Sequence, residues 1–79
     1  MSLEKLITII EEADYIKNPS GIKPGETTKL KEDLLMDSFS VMLLYQDLER
    51  ELGKEPDPML FSGVSTIGDL YDRLNADTV

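Results

Sequence analysis

Apolar residues return every three or four positions at the start of the chain. Leu3, Leu6, Ile7, Ile10 and Ala13 alternate with Glu4, Lys5, Glu11 and Glu12, which lays one hydrophobic stripe along a helix. The spacing predicts a helix from Ser2 to about Ile16, with Ser2 as its N-cap. Asn18-Pro19-Ser20-Gly21 then stops it, because proline disfavours helical geometry in the residue before it and glycine loosens the chain. The connection runs past Pro24-Gly25 to about Met36. That is long for so small a domain, and long ordered loops tend to be functional. Ile22, Leu30, Leu34 and Leu35 are the expected anchors that pin it to the core.

A second stripe, Val41, Leu44, Tyr45, Leu48 and Leu52, predicts a helix from about Ser38 to Leu52, ended by Gly53. Lys54-Glu55-Pro56-Asp57-Pro58 reads as a turn. Met59-Leu60-Phe61 reads as one short helical turn that lends apolar side chains to the core. Ser65 or Thr66 opens a last helix, with Asp69 as the acidic member of a capping pair and Ile67, Leu70, Tyr71 and Leu74 on its inner face. No alternating run marks a strand, and no repeat is visible. The expected fold is therefore all-α: a small bundle of three main helices plus a short third helix, with a long loop between helices 1 and 2. One domain is expected, over residues 1–79.

Hydrophobic residues make up 41% of the chain, enough for one compact core. There is no cysteine, hence no disulfide framework, thiolate nucleophile or cysteine-based metal site. There is no histidine either, which removes the usual neutral-pH general base and the commonest metal ligand. No Asp-x-Asp-x-Asp-Gly loop could assemble calcium ligands. Neither a catalytic residue nor a metal site is expected. Met1-Ser2-Leu3-Glu4-Lys5 lacks the pattern of a secretory signal, and no apolar run is long enough to span a membrane, so a cytoplasmic location with no membrane partner is expected.

The formal net charge of −8 argues against nucleic acid as a partner, since phosphates would be repelled. Its distribution adds more. Residues 1–31 hold equal numbers of acids and lysines, whereas residues 32–79 hold eleven acids against Arg50, Lys54 and Arg73. The resulting field would steer basic partners towards that half; as a bland alternative, it merely keeps a small protein soluble. Mutual repulsion and a single small core favour a monomer.

Asp33-Leu34-Leu35-Met36-Asp37-Ser38-Phe39 leads into the second helix. It resembles the Asp-Leu-Gly-Leu-Asp-Ser-Leu signature of acyl carrier proteins, the phosphopantetheine-binding carriers. Thr66-Ile67-Gly68-Asp69-Leu70 looks like that family's Thr-hydrophobic-x-Asp-hydrophobic final helix, so the resemblance covers nearly the whole chain. It implies the bundle described above and a 4′-phosphopantetheine arm, drawn from coenzyme A, on Ser38. It further implies that Asp37 supports recognition by a phosphopantetheinyl transferase, which brings coenzyme A, a divalent metal and the base. The other implied partners are acyl-transferring, condensing and acyl-activating enzymes, which the chain serves without being an enzyme itself. Without the resemblance, Asp37-Ser38 reads as ordinary helix-start chemistry: Ser38 as N-cap or first-turn residue, Asp37 as a carboxylate favourable to the helix dipole.

The departures from the signature are specific. Its glycine is Leu35 here, its second leucine is Phe39, and the acid that often follows is Ser40. Leu43 stands where fatty-acid carriers commonly place a glutamate, and Arg50 interrupts what is often an acidic run. At about 100° per residue, Phe39, Leu43, Gln46 and Arg50 share the side of the helix opposite the core stripe. With Met42 they form the candidate partner face. Leu43 is expected to be exposed, while Phe39 could either face solvent or fold back on the loop. The leading reading is an acyl carrier for a fatty-acid, polyketide or related pathway, with an aminoacyl or peptidyl carrier as the alternative within the class. The alternative outside it is a small acidic interaction module without a prosthetic group.

Overall fold

The computed structural model describes residues 1–76, so the last three residues of the expected 1–79 domain lie outside the described residues. Three helices form, α1 (Leu3–Glu12), α2 (Ser38–Leu52) and α3 (Ile67–Ala76), and no strand occurs among the described residues. The all-α bundle with a long first crossover is as the hydrophobic periodicity predicts.

The ends of α2 follow from local chemistry. Asp37 is the N-cap, and Gly53 closes the helix in the left-handed region at φ 71°, where its N–H reaches the Glu49 carbonyl. Ser2 caps α1 by accepting from the Lys5 N–H. However, α1 stops at Glu12 rather than near Ile16, with Ala13 already extended. Its last turn carries Glu11 and Glu12 and no basic residue, an arrangement unfavourable at the negative end of the helix dipole. Leaving the helix there lets the Tyr15 hydroxyl donate to Asp47 on α2 while Tyr15 and Ile16 pack on the core.

One cluster unites all parts: Leu6 and Ile10 of α1, Leu44 and Leu48 of α2, Ile67, Leu70 and Leu74 of α3, with Leu30, Leu34, Met36 and Leu60 from the connections. Of the four expected loop anchors, Leu30 and Leu34 are buried, but Ile22 and Leu35 are not; Met36 takes the inward place instead. Residues 57–63 form successive turns (Leu60 N–H to Asp57 carbonyl, Ser62 N–H to Met59 carbonyl) rather than a short helix. Leu60 enters the core from them and Phe61 packs at its edge, while Met59 faces solvent.

The long connection is stitched to the start of α3. Leu30 N–H donates to the Ser65 carbonyl at 2.9 Å, Ile67 N–H to Thr28 at 3.0 Å and Gly68 N–H to Glu26 at 2.8 Å. Lys29 and Thr66 face each other in an antiparallel bridge. These bonds fix the chain that delivers residues 33–37 to α2.

Candidate functional site

Each residue of the 33–39 segment has a distinct physical role. The Asp33 carboxylate accepts from the Lys29 N–H at 2.8 Å, closing a turn. Leu34 and Met36 point inward and are buried. Leu35 between them is forced outward with φ 52°, the left-handed region, which costs a residue bearing a Cβ about 1–2 kcal/mol. The backbone thus keeps the conformation that a glycine would adopt freely, with leucine in its place.

Asp37 and Ser40 then form a reciprocal cap. Asp37 Oδ1 accepts from the Ser40 N–H at 2.9 Å and from the Ser40 hydroxyl at 2.8 Å, while Ser40 Oγ accepts from the Asp37 N–H at 3.2 Å. The cap is therefore Asp37, and Ser38 is the first residue of the helix proper. Ser38 is exposed, and no hydrogen bond among the described residues engages its hydroxyl. Two serines two residues apart thus differ completely: Ser40 is buried and bonded, Ser38 is open.

The Ser40 N–H, and after it the Ser40 hydroxyl, hold the Asp37 carboxyl below its ordinary range, with help from the Phe39 N–H. The Ser65 and Thr66 N–H groups likewise depress Asp69, the acidic member of a reciprocal pair at the start of α3 in which Thr66 Oγ1 accepts from the Asp69 N–H. A carboxylate with a depressed folded-state pKa contributes stability above its unfolded pKa of about 4 and loses it as pH falls through the folded value. Melting temperature should therefore hold from pH 7 to about 5 and fall below about 4. Circular dichroism melts across that range check this, and the decline should be shallower in Asp37→Asn/Asp69→Asn. An unchanged acid decline in that variant would place its source elsewhere.

On the outward side of α2, Phe39 and Met42 are exposed at 61% and 51%. Gln46 and Arg50 are exposed as well, with Arg50 Nη1 3.5 Å from Asp47 Oδ1. Leu43 departs from expectation: it is half-buried rather than exposed. Phe39 does not fold back. Among the described residues no group of three or more acids is arranged to hold a metal ion, and no helix is long and apolar enough to cross a membrane.

A phosphodiester fits at Ser38. Ser38 is exposed and stands in the first turn, where the positive end of the helix dipole favours an anion. A family model described as phosphopantetheine attachment site matches residues 4–74. No curated protein and no solved structure matches the chain. The chain belongs to the phosphopantetheine attachment family, consistent with an acyl carrier protein, and it is a carrier of the 4′-phosphopantetheine group rather than an enzyme. Its partners in general are phosphopantetheinyl transferases and acyl-handling enzymes.

Proposed function

We propose that Ser38 bears the 4′-phosphopantetheine group, and that the protein presents acyl intermediates to the enzymes of a fatty-acid, polyketide or related pathway. The observation that carries this reading is the unengaged, exposed Ser38 hydroxyl beside a Ser40 hydroxyl committed to the cap. When bound, the group supplies a terminal thiol that holds cargo as a thioester on a long flexible arm.

The chain's own part in attachment is to offer an oxygen. Ser38 Oγ forms a bond to the coenzyme A phosphorus nearest pantetheine, the bond from that phosphorus to the adenosine bisphosphate half breaks, and the serine proton leaves to a base. With no histidine in the chain, that base belongs to the transferase. Asp37 supports the approach: its two bonds from Ser40 both use Oδ1, which fixes the carboxylate at the helix start and keeps it ionised. Phe39, Met42, Leu43, Gln46 and Arg50 form the face that enzymes read. It is more apolar and less acidic than a general fatty-acid carrier would need, which supports a dedicated pathway partner. The cytoplasm is the proposed location, and a single domain the proposed organisation.

The test is direct. Incubated with coenzyme A, magnesium and a broad-specificity phosphopantetheinyl transferase, the protein should gain one phosphopantetheine by intact mass. Fragmentation should place it on Ser38. Modification elsewhere, or none with several transferases, would sink the assignment.

A further inference from the structure

Leu35 is unexplained by the fold. Its φ of 52° is locked from both sides, by the Leu34 N–H to the Lys29 carbonyl and the Met36 N–H to the Leu30 carbonyl. A glycine would adopt this conformation without strain. The leucine adds nothing to the core cluster, since the residue is 49% exposed and lies outside it. Strain combined with an exposed apolar side chain points to a use outside the molecule.

Its position defines that use. Five large apolar residues are exposed in the described chain, and three of them, Leu35, Phe39 and Met42, bracket Ser38. The loop before the helix supplies the first, the outward ridge of α2 the other two. The carboxylates of Asp33 and Asp37 lie in the same stretch, and all of the net negative charge falls from residue 32 onward. The complementary surface is an apolar patch edged by cationic groups.

Resting on the assignment of Ser38, we propose that Leu35 is a specificity-determining contact for the phosphopantetheinyl transferase. Among the partners of a carrier, the transferase alone must bring its reacting atoms to Ser38 Oγ itself. Enzymes that use the loaded protein meet the far end of a flexible arm, and can read the outward ridge of α2 without reaching the loop side of Ser38. Residues immediately on either side of Ser38 at the surface are therefore inside the transferase footprint. Leu35 extends the apolar contact of Phe39 and Met42 across the serine to the loop side.

The experiment compares wild type, Leu35→Gly and Leu35→Met as substrates of one broad-specificity transferase, with coenzyme A and magnesium in excess. Leu35→Gly should raise KM for the carrier about tenfold with kcat within about twofold. Leu35→Met, which keeps an apolar side chain, should stay near wild type. Melting temperature of Leu35→Gly should hold or rise as strain is relieved, so that a sturdier protein becomes a poorer substrate. Equal KM values overturn the proposal, as does a KM increase accompanied by a fall in melting temperature. In either case Ser38 is still modified and its assignment stands. Absence of any mass gain in wild type removes that assignment and the proposal with it.

Discussion

Ser38→Ala should gain no mass with coenzyme A and transferase, whereas Ser40→Ala should gain one phosphopantetheine and melt earlier. The two serines occupy one helical turn, so composition and helix propensity change equally in both variants. What differs is use. Ser38 is exposed and stands one place inside the cap, and its hydroxyl makes no hydrogen bond among the described residues. Its removal should therefore alter stability by no more than about 0.5 kcal/mol, as for an ordinary surface substitution. Ser40 is 5% exposed and exchanges three hydrogen bonds with Asp37. Losing its hydroxyl should cost about 0.5–1.5 kcal/mol, which for a domain of this size lowers the melting temperature by about 4–8 °C per kcal/mol. Intact mass and thermal melts on both variants make the comparison. Mass gain surviving in Ser38→Ala would place the attachment elsewhere, and a larger stability loss there than in Ser40→Ala would reverse the roles assigned to the two hydroxyls.

The same contrast shows what a sequence can and cannot convey. Helix α2 was legible at both ends because each boundary is set locally, by an acid that caps and a glycine that turns left-handed. The stripes of α1 and α3 were legible for the same reason, since their burial repeats at helical spacing. The end of α1 was not. Its apolar pattern continues to Ile16, while the interaction that rewards leaving the helix, Tyr15 to Asp47, spans 32 residues. In the loop, four apolar residues looked alike, but whether one points in or out depends on backbone angles. Leucine gives no warning of a positive φ; the glycine expected at that place was the only hint. The candidate site stands out as a motif, yet the motif does not say which residue caps. That Asp37 rather than Ser38 does so follows from the partnership with Ser40, a residue notable in the sequence only as a departure from the signature.

Gly68→Ala should destabilise the protein substantially, although alanine is the better helix former. Gly68 lies in the first turn of α3 and is buried. A Cβ there would stand 2.7 Å from Glu26 Cγ and 2.9 Å from the Glu26 backbone oxygen. The Glu26 side chain can swing away; the carbonyl cannot. It accepts the Gly68 N–H, and neighbouring bonds from Ile67 to Thr28 and from Leu30 to Ser65 hold its strand of the loop in place. Relief therefore requires lifting the connection off α3. Such overpacking costs about 1–3 kcal/mol, against about 1 kcal/mol returned by the helical preference of alanine. A net loss of up to about 2 kcal/mol is expected, lowering the melting temperature by about 4–8 °C for each kcal/mol. Gly25→Ala is the internal control, because a Cβ there meets nothing within 4 Å; it should change stability by no more than about 0.5 kcal/mol. The effect on Gly68→Ala should also reach the site. The displaced connection is the one that sets Asp33, Leu34 and Met36 ahead of Ser38, so phosphopantetheine loading should slow as well. A glycine inside a helix is itself a sequence signal of close backbone approach, and equal melting temperatures for Gly68→Ala and Gly25→Ala would show that the loop yields to a methyl group without cost.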